Sequence, residues 1–281
     1  MNNIFSNKNS ALNKMSFPMK HIILGVLFLL LINGVFATDV WTDLSTTDPA
    51  DWVSTSQINS VFTASDGNVY TGLANGKLGV YSPATNVWTD LSATDIGNWV
   101  GTSYVYSVFE SSDGNIYTGL NGGKFGVYSP ITNVWADLSA TDIGNWVGTS
   151  YVYSVFESSD GNIYTGLTDG KFGVYSPITN VWADLSATDV GNWVGFNTCN
   201  SIFESTDSNI YIGLTYGKFS VYSPATNVWT DLSATDIGNW VGTSSVISVF
   251  ESSDGNIYTG LNGGKFGVYS PATNVWTNLS D

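Results

Sequence analysis

The chain has 281 residues, 43% of them hydrophobic, which is enough to bury a proper core in one or two domains. Charge is sparse and one-sided, with 8 Lys+Arg against 23 Asp+Glu and no arginine at all. Lys8, Lys14 and Lys20 lie in the first twenty residues, so after residue 37 five lysines face all 23 acids, a balance of −18 that excludes a phosphate backbone as a natural partner.

The N-terminus reads as an export signal over residues 1–37. Lys14, Lys20 and His21 precede an apolar run from Ile22 to Ile32, and Val35 and Ala37 fit a cleavage site before Thr38. The run is shorter than the roughly 20 residues a membrane span needs, so no membrane span is expected after signal removal. Uncleaved, it would be an anchor. Met15 or Met19 as the start would give a leader of more usual length. The expected location is secreted or periplasmic. Only one cysteine exists, Cys199, so the exported chain has no internal disulfide; its alignment with Val105 and Val152 predicts a small buried side chain.

From residue 41 the tryptophans give a period. Trp41, Trp88, Trp135, Trp182, Trp229 and Trp276 stand 47 residues apart, and Trp52, Trp99, Trp146, Trp193 and Trp240 keep the same step. Repeats therefore run 41–87, 88–134, 135–181, 182–228 and 229–275. Repeats 88–134 and 135–181 differ at only three positions, Thr89/Ala136, Asn121/Thr168 and Gly122/Asp169, a mark of duplication that leaves differences more telling than sameness. The first and fourth repeats have drifted most.

Each repeat reads as four short strands. Residues 105–109 (VYSVF) are β-branched and aromatic, and Asp113-Gly114-Asn115 makes a tight hairpin turn. Residues 115–120 form the second strand and Lys124–Tyr128 the third. Residues 129–133 (SPITN) turn the chain into the fourth, 134–138 (VWADL). No 3.6-residue apolar period appears beyond the signal. A 47-residue unit of four strands is the size of a propeller blade, and strands apolar on both faces fit a sheet buried between two others. The expected fold is an all-β, five-bladed β-propeller over 38–281, closing so that no naked end remains.

The fourth strand occurs six times, at 40–45, 87–92, 134–139, 181–186, 228–233 and 275–280. Five blades need five. Local closure by the C-terminal copy costs less entropy than bringing the termini together, which makes it the expected partner of the last blade. The N-terminal copy is then left to pair on an edge or swap into another molecule.

The pattern Trp88, Ile96-Gly97, Trp99, Phe109, Asp113-Gly114, Ile116-Tyr117, Lys124-Phe125 and Pro130 resembles the repeat of the tachylectin family of five-bladed propeller lectins. That resemblance implies glycan binding, N-acetylated amino sugars above all, with one site per blade between adjacent blades. Residues 105–120 also resemble the blades of two-component regulator propellers, and 127–135 those of kelch propellers, which implies a sensor or protein-interaction role instead.

The loop Ala93–Trp99 carries the mixture a sugar needs: a carboxylate, an amide, a close-approach glycine and an aromatic face. The candidate ligand-binding residues are Asp95, Asn98 and Trp99, then Asp142, Asn145 and Trp146, then Asp189, Asn192 and Trp193, and last Asp236, Asn239 and Trp240. The first repeat departs, reading Asp48-Pro49-Ala50-Asp51-Trp52. The competing expectation is that these aspartates cap turns and these tryptophans pack between blades. Trp88 and its equivalents are expected to pack. Lys77, Lys124, Lys171, Lys218 and Lys265 form one ring, and Glu110, Glu157, Glu204 and Glu251 another, broken at Thr63.

Catalysis is not expected. With no histidine after residue 21 there is no Ser-His-Asp arrangement or histidine metal site, and neither cofactor nor metal is expected. Five near-identical blades offer equivalent acids rather than the unlike pair that glycoside hydrolysis requires, which suits repeated weak binding.

Overall fold

The computed structural model describes residues 42–48, 51, 53, 55–94, 100, 103–139, 148–188, 197–235 and 241–280. It is all-β: five four-stranded antiparallel sheets of about 47 residues each, the arrangement of a five-bladed propeller. Blade 1 holds β1 (Ile58–Thr63), β2 (Val69–Leu73), β3 (Leu78–Ser82) and β4 (Val87–Asp90). Blade 2 holds β5 (Val105–Glu110), β6 (Ile116–Leu120), β7 (Phe125–Ser129) and β8 (Val134–Asp137). Blade 3 holds β9 (Val152–Glu157), β10 (Ile163–Leu167), β11 (Phe172–Ser176) and β12 (Val181–Asp184). Blade 4 holds β13 (Cys199–Glu204), β14 (Ile210–Leu214), β15 (Phe219–Ser223) and β16 (Val228–Asp231). Blade 5 holds β17 (Val246–Glu251), β18 (Ile257–Leu261), β19 (Lys265–Ser270) and β20 (Val275–Asn278).

Each blade is a simple meander, because hairpin turns of the right chemistry follow each strand. Asp113 Oδ1 accepts from the Asn115 amide at 2.8 Å while Gly114 takes φ 78°, so the turn closes without a Cβ in the way. Asn133 takes φ 57° before β8 and its Oδ1 accepts from the Tyr128 hydroxyl at 2.7 Å, tying the next turn to the sheet. The first strands of successive blades lie against one another, which makes them the innermost.

Between blades the sheets pack face to face. On the outgoing face of blade 2, Phe109, Tyr117 and Phe125 meet Val152, Val155, Tyr175 and Trp182 of blade 3. The ring of Phe125 meets Trp182 edge-on at 5.0 Å. The contact is close enough that a Cβ added at Gly119 would stand 2.6 Å from the Val152 carbonyl oxygen. A clasp completes each junction. Glu157 accepts from the Ser112 amide at 2.7 Å, and Glu110, Glu204 and Glu251 do the same for the amides of Ser65, Ser159 and Thr206 at 2.7, 2.6 and 2.8 Å. The glutamate ring of the sequence is therefore a set of blade-to-blade ties.

The tryptophans of the fourth strands pack as expected, and their indoles explain the sixth strand copy. Trp135, Trp182, Trp229 and Trp276 Nε1 donate to the carbonyls of Leu91, Leu138, Leu185 and Leu232, each at the corner of the preceding blade. Among the described residues no blade precedes that of Trp88, and Leu44 of the N-terminal copy supplies the carbonyl at 2.9 Å. The C-terminal copy pairs with β19 through Trp276 and Tyr269, so blade 5 is completed locally.

The expectation of a ring without naked ends meets a different arrangement. Phe250 is 46% exposed where Phe109 is 5%, and Val61 is 38% exposed where Val108 is 5%. A Cβ at Gly260 would find only Ser248 Cβ, at 3.9 Å. Blade 5 and blade 1 thus present open faces, and Thr63 stands where the other blades carry the glutamate of the clasp. Cys199 is buried, as its alignment with valine predicts, and burial pushes its thiol up to about 12.

Gly119→Ala is expected to cost about 1–3 kcal/mol by overpacking the junction. Gly260→Ala in dilute protein should change stability by less than about 0.5 kcal/mol. Urea denaturation of the two variants checks this pair.

Candidate functional site

Asp95, Asn98, Trp99, Asp142, Asn145, Trp146, Asp189, Asn192, Trp193, Asp236, Asn239 and Trp240 all lie outside the described residues. The first repeat supplies the one described member of that aspartate series. Asp48 is buried and its Oδ2 accepts from the Val53 amide at 2.8 Å, the turn-capping use of such an aspartate.

A different constellation stands on the innermost strands of blades 2 and 3. Tyr106 of β5 and Tyr153 of β9 stack with ring centroids 4.5 Å apart and planes 17° apart. Tyr151, just before β9, stacks on Tyr106 at 5.8 Å, and Tyr104, just before β5, meets Tyr106 edge-on at 6.2 Å. Tyr104 and Tyr151 are exposed, whereas Tyr106 and Tyr153 are half-buried.

Local structure sets these rings in place. A register irregularity lies between residues 105 and 107 of β5, around Tyr106. The Tyr104 carbonyl accepts from the Asn121 amide at 3.0 Å, and the Tyr151 carbonyl accepts from the Thr168 amide at 3.0 Å. The Thr168 hydroxyl in turn accepts from the Tyr151 amide at 2.9 Å. Blade-on-blade packing then brings the two near-identical tyrosine pairs into one cluster.

The other blades put different groups at these places. At the position of Tyr106, blades 1, 4 and 5 carry Asn59, Asn200 and Ile247; at that of Tyr104, Gln57, Thr198 and Ser245. Asn59 and Asn200 each donate from Nδ2 to a carbonyl of the next blade, of Val105 and Val246, at 3.0 Å. The inner surface is therefore aromatic on one side and amide-lined or aliphatic elsewhere. Burial, then the neighbouring tyrosines Tyr153, Tyr151 and Tyr104, push the Tyr106 phenol up to about 12, so this ring is uncharged at neutral pH.

Three lysines of the ring have structural partners. Lys77 pairs with Asp90, and Lys218 with Asp231 at 3.4 Å, each across β-strands of its own blade. Lys265 Nζ donates to the Val241 carbonyl at 3.4 Å. Among the described residues no group of His, Cys, Asp and Glu is arranged to hold a metal ion.

No family model matches the chain, and no curated protein does. Solved structures do. The extracellular domain of a protein described as a hybrid two-component system of B. thetaiotaomicron superposes with a TM-score of 0.62 at 14% identity, over 80% of this chain and 28% of that one. A second such extracellular domain from the same organism gives 0.55 at 16% identity, over 72% of this chain and 30% of that one. The likeness is one of fold. The chain spans under a third of the length of either structure.

The raised phenol pKa values have a consequence for stability. Tyr106 ionises near 12 in the fold against about 10 in an unfolded chain, and burial beside Asp113 and its equivalents raises Tyr117, Tyr164 and Tyr211 further. The folded state thus holds its phenol protons more tightly. Its stability is intact below about pH 10 and is lost as pH rises from there. Equilibrium unfolding at pH 8, 10.5 and 11.5, with tyrosinate absorbance as a second readout, checks the sign.

Proposed function

We propose that the chain is a non-enzymatic recognition propeller that works outside the cytoplasm, of the sensor or protein-interaction kind, and that the tyrosine cluster of blades 2 and 3 receives its ligand. The observation that carries this reading is the stack of Tyr106 on Tyr153, flanked by exposed Tyr104 and Tyr151, on the inner surface where the other three blades carry none of it. Exposed aromatic rings held rigidly by two strands offer large contact area at low entropic cost, which is what recognition surfaces use. The balance of −18 after residue 37 favours a neutral or cationic ligand over an anionic one.

Two further facts support the location and the class. Residues 1–37 have the pattern of an export signal, and the solved domains of like fold are extracellular parts of proteins described as two-component systems. The absence of arginine, and of histidine after residue 21, fits a role without catalysis. A neutral saccharide is the ligand class whose C–H face matches a tyrosine platform. It would bind at one shared site between two blades rather than at one site in each.

Binding of neutral oligosaccharides, read on a glycan array and then by titration calorimetry, tests this. Tyr106→Ala and Tyr153→Ala should each weaken binding by about 1–3 kcal/mol without loss of the fold, while Asn200→Ala should change it little. Equal binding by five sites, insensitive to the tyrosines, would favour a lectin with a site in every blade. A blank array from folded protein, with a protein partner recovered whose capture needs Tyr104 and Tyr151, would keep the interaction reading and discard the saccharide.

A further inference from the structure

Repeats 88–134 and 135–181 differ at three positions, and two of those three fall side by side in one turn: Asn121-Gly122 of blade 2 is Thr168-Asp169 in blade 3. That turn joins the second strand to the third, and it abuts the tyrosine cluster. The Thr168 hydroxyl accepts from the Tyr151 amide at 2.9 Å and donates to Asp169 Oδ2 at 3.3 Å. Ser150, buried directly before Tyr151, donates its hydroxyl to the same Oδ2 at 3.0 Å. The Asp169 carboxylate is thus held against the residue that precedes Tyr151, whose ring stacks on Tyr106.

Asp169 stands where the backbone suits glycine better. Its φ is 61°, in the left-handed region, and Gly122 and Gly263 fill the equivalent turns at 69° and 79° with no Cβ to strain. Both hydroxyls bond to Oδ2, so the carboxylate is fixed through that oxygen while the residue as a whole stays exposed. The other blades carry Asn75, Gly122, Tyr216 and Gly263 here, so blade 3 alone puts a carboxylate at this turn. It is also the blade that supplies Tyr151 and Tyr153. Exposed rings beside a fixed carboxylate are a combination suited to an ammonium group. The carboxylate accepts charge-assisted N–H bonds, and the negative faces of the rings attract the cation.

We infer that Asp169 makes the tyrosine cluster a receptor for a saccharide that carries a protonated amino group. The inference rests on the saccharide reading proposed above and sharpens it. The sugar lies with its C–H face on the tyrosines, and the ammonium at its edge donates to Asp169. An N-acetylated sugar of the same size has the same C–H face but an amide in place of the charge, so it forfeits the ion pair. The two sides of the cluster are unlike in consequence. Beside Tyr104, whose carbonyl receives the Asn121 amide, blade 2 has Gly122 and no side chain to offer, so the amino group points toward blade 3. The balance of −18 after residue 37 draws such a cation in.

Titration calorimetry with oligomers of glucosamine and of N-acetylglucosamine, matched in length, tests the inference. At low salt the parent chain should prefer the glucosamine oligomer by roughly five- to tenfold, and added salt should shrink that preference. Asp169→Asn keeps a side chain that tolerates the left-handed turn and accepts the same hydroxyls, and Asp169→Gly restores the residue of blade 2. Both should bring the ratio of the two affinities close to one. Asp184→Asn removes the same charge from the outer strand of the same blade, where blade 5 carries Asn278, and should keep the parent ratio. That control separates a contact at Asp169 from the general pull of an acidic protein on a cation. Equal affinities in the parent overturn the inference, as does a preference that survives Asp169→Asn or falls equally in Asp184→Asn. If the N-acetylated oligomer binds through the tyrosines and no charge preference exists, the saccharide reading stands and the inference alone falls. If neither oligomer binds folded protein, both fall.

Discussion

Everything in this molecule depends on one sheet packing on the next. A four-stranded blade of 47 residues has apolar groups on both faces and cannot bury either one alone. The junction solves this with three elements that recur along the chain. Phenylalanine and tyrosine of one blade fill the space against valine, tyrosine and tryptophan of the next. A glycine in the second strand lets the backbones approach, because at Gly119 even a methyl group would meet the Val152 carbonyl. A glutamate ties the hairpin of one blade to the first strand of its neighbour. Stability is then a sum over neighbours, and the two blades with only one neighbour are the weak places.

The same junction builds the candidate site. The tyrosines of blade 2 and blade 3 would be separate exposed rings if the blades stood apart. Packing sets Tyr106 on Tyr153 and brings Tyr151 onto the pair. Because repeats 88–134 and 135–181 differ at only three positions, the two pairs are near copies, and duplication alone doubled the aromatic surface. The aromatic surface here rides on scaffold repetition, and the first-strand positions that vary between blades set it apart from the rest of the inner surface.

Much of this was legible in the amino-acid order. The tryptophan step fixed the repeat, Asp113-Gly114-Asn115 fixed a turn, and the alignment of Cys199 with valine placed it in the core. The sixth strand copy was visible too, but its use was not, since the bond from Trp88 to Leu44 joins residues 44 apart. The glutamate ring was visible as a series without a partner, because its serines sit in a different blade. The tyrosine cluster was missed although its signal was present: Tyr104 and Tyr106 against Gln57 and Asn59 is a difference between repeats, and differences were the informative positions. The Asp-Asn-Trp loops carry the carboxylate, amide and aromatic groups that a sugar needs, and composition alone does not separate that use from turn capping and packing. Of that series Asp48 caps a turn, and the twelve candidate residues lie outside the described structure.

Native-state hydrogen exchange, followed blade by blade in protein dilute enough to be monomeric, tests the central claim most directly. If each blade is held by its neighbours, amides of β5, β9 and β13 should be protected most and at similar levels. Blade 5, with Phe250 and Phe266 uncovered, should open first, and blade 1, partly covered by Leu44 and Val53, next. Equal protection of all five blades would contradict the account, because it would mean that no blade has an open face.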